Sequence, residues 1–259
     1  MNLLEQILAD RRKDIARAKK AMPAENFRDA IRHRKHRSLT DRLRAGGMSR
    51  VIAEVKKASP SAGLICRRYD PAATARIYEE GGAVAVSVLT EPGHFMGRTE
   101  HMAAVREAVS LPILRKDFIC DPYQVGETAA SGADVLLLIA AALSPDLMRS
   151  LYEEALRCGL EVIAEAHTAA ELRMVLGLED AIIGVNSRNL ATLKCGLSVV
   201  QRLAGLIPQK RLCIAESGIR TRADVVTLEK RGYNGFLVGE ALLKDGNPLA
   251  KLKELRGAV

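Results

Sequence analysis

Hydrophobic and polar positions follow two different periods along this chain. Near the start, Leu3, Leu4, Ile7, Leu8, Ile15 and Ala18 recur at three- and four-residue steps, which predicts an amphipathic helix over residues 2–20. Asn2 and Glu5 have the spacing of a capping box, which satisfies the free N–H groups at a helix start. A second helix is predicted over 24–33. From residue 51 onward the pattern alternates. Apolar runs rich in Val, Ile and Leu occupy 51–56, 83–89, 112–116, 134–139, 161–165, 181–185, 211–215 and 235–238. Helical patterns lie between them, often opened by turn signals such as Asp70-Pro71, Asp121-Pro122, Ser144-Pro145 or Thr221. Runs such as Val135-Leu136-Leu137-Leu138-Ile139 are apolar on both faces, as buried parallel strands must be. Eight β/α units in 259 residues predict a single (β/α)8 TIM barrel spanning 1–259, with residues 1–50 as an N-terminal helical extension. A doubly wound open sheet alternates in the same way but seldom holds eight units in this length.

The last two strands carry a further signal. Ile214-Ala215-Glu216-Ser217-Gly218 and Gly235-Phe236-Leu237-Val238-Gly239-Glu240 are apolar runs that end in glycine and give way to helices. In a barrel this is where a phosphate cradle forms, because glycine lets the backbone approach an anion and a helix start offers N–H donors.

Charge changes the picture only in one segment. Residues 1–50 hold fourteen Lys/Arg and six Asp/Glu, while the remainder of the chain holds 25 of each sign, so the net +8 belongs to the extension. It peaks at Arg32-His33-Arg34-Lys35-His36-Arg37, which reads first as a solvated basic linker. Steering of an anionic substrate is the second reading and a nucleic-acid arm the third. Tryptophan is absent and aromatics are few, which speaks against base-stacking modules. No run reaches the roughly 20 apolar residues of a membrane helix, and Met1-Asn2-Leu3-Leu4-Glu5 lacks a signal-peptide pattern. Five scattered cysteines without a CxxC pair read as reduced thiols in a cytoplasmic protein. No metal-ligand spacing occurs and no GxGxxG follows a strand, so neither a metal nor a cofactor is expected.

Active sites of such barrels sit at the C-terminal strand ends. Side chains alternate along a strand, so Glu54 and Lys56 share the face of Ile52, Lys116 that of Leu114, Glu165 that of Ile163, and Glu216 that of Ile214. Asn186 ends the sixth strand, and Arg115 and Asp117 point away from the barrel axis. Any one of these could be a solvated strand end. Six polar ends in phase with the inward face, two lysines among three carboxylates, suit acid–base chemistry. His94, in the loop after the second strand, reads as a loop histidine without a task. His167 directly follows the fifth strand, where Ala166-His167-Thr168 could instead cap the next helix through Thr168.

The blocks Ala53-Glu54-Val55-Lys56-Lys57-Ala58-Ser59-Pro60-Ser61, Ser87-Val88-Leu89-Thr90-Glu91, Leu114-Arg115-Lys116-Asp117-Phe118, Ile183-Gly184-Val185-Asn186-Ser187-Arg188-Asn189-Leu190 and Ala215-Glu216-Ser217-Gly218-Ile219 resemble the indole-3-glycerol phosphate synthase family, over essentially the whole chain. The resemblance implies conversion of 1-(2-carboxyphenylamino)-1-deoxyribulose 5-phosphate to indole-3-glycerol phosphate in tryptophan biosynthesis, with loss of CO2 and water. It implies that Lys116 is the general acid at ring closure and that Glu165 transfers a proton in the dehydration. Lys56 would contact the substrate carboxylate, with Glu54 and Asn186 as polar partners. Glu216 and Ser217 would line the sugar and phosphate side, and Arg188, Phe95 and Phe118 would line the substrate. The phosphate would rest on Ser59 and on the N–H groups of Gly218, Gly239 and Glu240. The implied partner is a small anionic phosphosugar, with no nucleic acid and no membrane, and the chain is expected as a monomer or weak homo-oligomer. Two rivals stay open: a phosphosugar isomerase or aldolase on the same barrel, and a non-catalytic anion- or RNA-binding protein.

Overall fold

A computed structural model describes residues 2–189, 193–244 and 246–258; Leu190, the end of one motif block, lies outside them. Eight parallel strands close into a barrel in the order β1-β8-β7-β6-β5-β4-β3-β2. They are β1 (Val51–Val55), β2 (Ala85–Leu89), β3 (Ile113–Lys116), β4 (Val135–Ile139), β5 (Glu161–Ala166), β6 (Ile182–Asn186), β7 (Cys213–Glu216) and β8 (Gly235–Val238). Each expected strand is present, its ends shifted by no more than two residues. The expected (β/α)8 TIM barrel is therefore the observed fold.

Alternation sorts the strand residues into two cores. Ile52, Ala85, Leu114, Leu137, Ile163, Ile182, Ile214 and Leu237 fill the barrel interior. Val51, Ala53, Val55, Val86, Val88, Leu136, Leu138, Val162, Ile183 and Phe236 face the helices. The helical layer begins with α4 (Pro71–Glu80), α5 (Glu100–Ala108), α6 (Pro122–Ala130) and α7 (Pro145–Arg157), of which α4, α6 and α7 start at an Asp or Ser cap followed by proline. It continues with α8 (Ala169–Leu176), α9 (Ser198–Leu203), α10 (Arg222–Glu229), α11 (Glu240–Lys244) and α12 (Pro248–Arg256).

The extension contains α1 (Leu3–Ala21), a 3₁₀ turn at Ala24–Phe27, α2 (Arg28–His33) and α3 (Leu39–Arg44). The capping box forms as the sequence suggests: Glu5 N–H donates to Asn2 Oδ1 at 3.0 Å and Asn2 N–H to Glu5 Oε2 at 2.9 Å. The sequence reading overlooked α3, although Ser38 caps it and Leu39 and Leu43 have helical spacing. These two fully buried leucines join the barrel-interior core. The extension is fastened where the Phe27 and Tyr123 rings meet, tilted, at 5.2 Å beside Ile15.

Within the basic stretch Arg32, His33, Lys35 and His36 are exposed, as a solvated linker would be, but Arg34 and Arg37 are not free. Arg34 donates to the carbonyls of Ala133 (2.5 Å), Cys158 (3.4 Å) and Gly159, all just before β4 or β5. Arg37 donates to Val109 O (2.6 Å) and Leu111 O (3.1 Å), just before β3, and its N–H to Asp134 Oδ1 (2.9 Å). Glu161 accepts from Ser38 Oγ and from the N–H groups of Leu39 and Thr40, holding α3 in place. Arg34 and Arg37 thus clamp the N-terminal ends of the strands, opposite the rim where the polar strand ends gather, which removes them as steering charges. We expect Arg34→Ala to lower unfolding stability by roughly 1.5–3 kcal/mol, the worth of hydrogen bonds from a charged donor. The salt dependence of kcat/KM should match the wild type. Denaturant unfolding checks the first outcome and kinetics at several ionic strengths the second.

Candidate active site

Glu54, Lys116, Glu165 and Glu216 come from β1, β3, β5 and β7, the alternate strands whose residues fall in phase toward the barrel axis. Lys116 Nζ lies 2.8 Å from Glu165 Oε2 and 2.5 Å from Glu216 Oε2, and the two carboxylate side chains are only 2% and 1% exposed. Lys56 pairs with Glu54 at the mouth of β1. These residues share a cavity of about 840 Å³, including its open rim, with Phe95, Phe118, Asn186, Arg188, Ser217, Gly218, Gly239 and Glu240. Its apolar wall is Leu89, Leu137, Ile139, Ile219, Leu237 and Val238. A polar cluster inside a mostly apolar concavity is the usual form of a small-molecule site.

Burial opposes the Lys116 ammonium, but the charges of Glu165 and Glu216 outweigh it and hold the group protonated above its ordinary range. Burial also opposes Glu165 ionisation, yet Lys116, His167 and a hydrogen bond from Asn186 bring its pKa down to about 2. For Glu216 burial prevails over Lys116, aided by the neighbouring charge of Glu165, and its pKa rises to about 7. One ammonium between two unlike carboxyls gives an acid and a base side by side.

The surroundings hold this cluster rigid. Arg115, fully buried, donates to Thr128 Oγ1 (3.0 Å) and Asp117 Oδ2 (3.0 Å) and pairs with Glu127 at 2.7 Å. Asp117 Oδ2 also accepts from Thr90 (2.7 Å) and from Arg11 of α1 (3.0 Å). Burial pushes the Asp117 carboxyl up, but Arg115 and Arg11 more than offset it and hold it low. The residues on either side of Lys116 are thereby locked outward while Lys116 points in. Thr90, Glu91 and Arg11 were not among the sequence candidates. Glu91, 1% exposed, accepts from the N–H groups of Gly93, His94 and Phe95 and so winds the loop that presents Phe95. The Phe95 and Phe118 ring centres lie 6.3 Å apart.

At the β7 and β8 ends, Ser217 (φ 64°) and Gly218 (φ 82°) are successive left-handed residues that turn the chain out of the strand. Arg188 bridges three loops: it donates to Ser61 Oγ (3.2 Å) and Leu193 O (3.3 Å) and pairs with Glu240 at 3.5 Å. Glu240 also binds Lys244 at 2.7 Å. Asn186 Oδ1 accepts from Arg188 N–H at 2.9 Å. Ser59 adjoins this group, its hydroxyl 3.4 Å from that of Ser61. It accepts from Ala62 N–H (3.2 Å) and lines an adjoining recess with Leu3, Leu4, Ile7, Lys56 and Arg188.

Gly239 has a second reason to be bare. A Cβ there would strike Glu54 Oε1 and stand 3.0 Å from Glu54 Cβ and Cδ. Gly239→Ala should therefore displace Glu54 and its partner Lys56 before it affects any anion. We expect kcat and KM both to worsen, with kcat/KM falling by up to about 10²-fold for a displacement near 1 Å. Steady-state kinetics beside a thermal melt checks this; a rise in KM alone would place the effect on the anion.

Among the described residues there is no group of three or more His, Cys, Asp or Glu placed to hold a metal, and no helix long and apolar enough to cross a membrane. Two solved structures share the fold. KGPDC from Streptococcus mutans superposes with TM-score 0.63 at 12% identity, covering 82% of this chain and 97% of its own. A tryptophan synthase a2b2 complex structure from Pyrococcus furiosus gives 0.58 at 18% identity, covering 81% and 97%. At those identities the likeness speaks for the barrel alone. Sequence relatives say more. Proteins called indole-3-glycerol phosphate synthase from Dehalococcoides mccartyi (strain CBDB1) and Shouchella clausii (strain KSM-K16) are 43% and 41% identical over 257 and 247 residues. The alignments cover 98% and 93% of this chain and 99% and 92% of those proteins. The family described as indole-3-glycerol phosphate synthase matches residues 4–255. The chain belongs to the indole-3-glycerol phosphate synthase family.

Proposed function

We propose that this enzyme closes 1-(2-carboxyphenylamino)-1-deoxyribulose 5-phosphate to indole-3-glycerol phosphate, a carboxy-lyase reaction of tryptophan biosynthesis. The observation that carries the reading is Lys116 held between Glu165 and Glu216 at the floor of the cavity. The ring carbon bearing the carboxylate attacks the ketone carbon, and the ketone oxygen must gain a proton as the bond forms. Lys116, fixed on a rigid strand and kept protonated by its two carboxylates, is that acid. Closure leaves an iminium, which takes the electron pair released as CO2 departs, so no external electron sink is required. The new hydroxyl then leaves as water while a proton is lost from the neighbouring carbon. Glu165, ionised in the resting site, moves the proton in that step.

Lys56, paired with Glu54, meets the substrate carboxylate, and Asn186 holds Glu165. Phe95 and Phe118 flank the aromatic ring. The phosphate lies at the β7 and β8 ends, on the N–H groups of Gly218, Gly239 and Glu240, with Ser217 beside it and Ser59 and Arg188 on the facing loops. Because Glu240 carries a charge there, it serves through its N–H group and leaves its carboxylate on Lys244 and Arg188. Cytoplasmic residence fits the scattered free thiols, and a monomer or weak homo-oligomer is checked by light scattering.

Incubation of the purified protein with the carboxyphenylamino-deoxyribulose phosphate should produce indole fluorescence. Borohydride should trap no substrate on Lys116, whereas an aldolase lysine would be trapped. Absence of indole product, or a trapped Schiff base, would overturn the reading.

A further inference from the structure

One buried group beside the catalytic cluster has no task in the reaction proposed above. His167 follows Glu165 by two residues, so it keeps the same inward phase, yet it is not part of the cavity wall. Its Nε2 is buried without a hydrogen bond, and Glu165 Oε1 lies 3.4 Å away. On the other side, Nδ1 is 3.2 Å from Glu171 Oε2, and the His167 N–H donates to the same oxygen at 2.8 Å. Side-chain exposure climbs along this line from 2% at Glu165 to 12% at His167 and 21% at Glu171. A titratable chain thus runs from the buried carboxylate to solvent. The neighbouring 3₁₀ turn at Ala140–Ala142 packs against this corner and adds no charge.

The proton balance of the reaction gives such a route a use. The substrate carboxylate leaves as neutral CO2 and the ketone oxygen leaves as water, while the neighbouring carbon gives up one proton. One proton from solvent is therefore consumed per turnover. It is first drawn from Lys116, which must be recharged.

We propose that His167 is a positioning residue that relays this proton from Glu171 and solvent to Glu165, and so back to Lys116. The imidazolium gives its Nε2 proton to Glu165 Oε1. Rotation of the carboxyl group then presents that proton to Lys116 Nζ, which contacts the other oxygen at 2.8 Å. The neutral ring, left with its proton on Nδ1, turns about Cβ–Cγ and regains the second proton through Glu171. The charged groups facing the imidazole are Glu165 on the preceding strand β5, Glu171 on α8 and Glu216 on β7. Burial disfavours the imidazolium, but these three carboxylates outweigh it, so the ring holds a proton more readily than a free histidine.

The relay rests on the proposed reaction, and wild-type turnover of the substrate tests that first. His167→Gln should then lower steady-state kcat by roughly tenfold or more with little change in KM. A single turnover by enzyme already equilibrated with protons should keep nearly the wild-type rate. In His167→Ala, added imidazole should restore part of the lost kcat. Unchanged kcat would overturn the relay. So would a loss shared by single and multiple turnovers that imidazole does not relieve, since that is the mark of a helix cap alone. Imidazole NMR of the resting protein gives a readout free of activity: Glu165→Gln and Glu171→Gln should each lower the His167 pKa, and no response to Glu165→Gln would break the proposal. Should the wild type fail to turn over the substrate while the NMR coupling holds, the reaction would be at fault and the relay would fall with it.

Discussion

Lys116→Met is expected to reduce kcat by at least about 10²-fold, with a modest change in KM, because general acid catalysis contributes about 10²–10⁴-fold. Methionine keeps most of the volume and removes the donor. The lysine reaches Glu165 and Glu216 from a strand whose neighbouring residues are locked in a buried ion network, so no other group can slide into its place. The fold should survive for a reason visible in the cluster. Without the ammonium, two buried carboxylates face each other, and burial together with mutual repulsion raises their affinity for protons above that of the unfolded chain. The native state then binds more protons than the unfolded state. Stability of the variant is therefore intact at low pH and falls as pH rises through the raised values. In the wild type Glu165 has the opposite sign: its lowered pKa gives stability that is present above the ordinary carboxylate range and is lost as pH falls toward about 2. Wild-type Glu216, itself raised, already shares the variant's sign. Unfolding curves across pH therefore tell the two proteins apart by the acid-side loss, which Glu165 gives the wild type and the variant lacks. Near-normal kcat in a folded Lys116→Met protein would move the acid role to Lys56.

Glu165→Gln should cost a similar factor, about 10²-fold or more in kcat, but at a later stage. Glutamine can still accept a hydrogen bond from Lys116, so the lysine stays in place for ring closure. It cannot carry a proton, so dehydration stalls. A species that has lost CO2 and still holds its hydroxyl is expected to accumulate in a single turnover, and rapid quench with mass spectrometry detects it. Accumulation of unreacted substrate instead would assign Glu165 to closure, leaving the dehydration to Glu216, the other carboxyl beside Lys116.

Much of this site was legible in the chain because its cause is local. Alternation along a strand follows from backbone geometry over two residues, and it put Glu54, Lys116, Glu165 and Glu216 on the inward face, where the barrel holds them. Turn chemistry is equally local, so the Asn2–Glu5 capping box and the Asp-Pro helix starts formed as read. His167 carries the same phase signal as Glu165, but the cap at Thr168, which does form, is an equally local use for the same three residues.

Closure of eight strands decided the rest. Lys116 meets carboxylates 49 and 100 residues away, and those distances depend on strand register, not on any pattern near Lys116. The basic stretch met the same limit: composition reads Arg34 and Arg37 as solvated charge, but the carbonyls that bind them become neighbours only when strands three to five stand side by side. Ser59 and Gly239 share one expected anion site in the sequence. In the fold the Ser59 hydroxyl lines a recess that shares Lys56 and Arg188 with the main cavity, and Gly239 is also bare because Glu54 from the next strand occupies the space of its Cβ. Backbone periodicity, acting over a few residues, determines which way a side chain points. What it touches is set by long-range packing, where buried charges must find partners or forfeit their solvation.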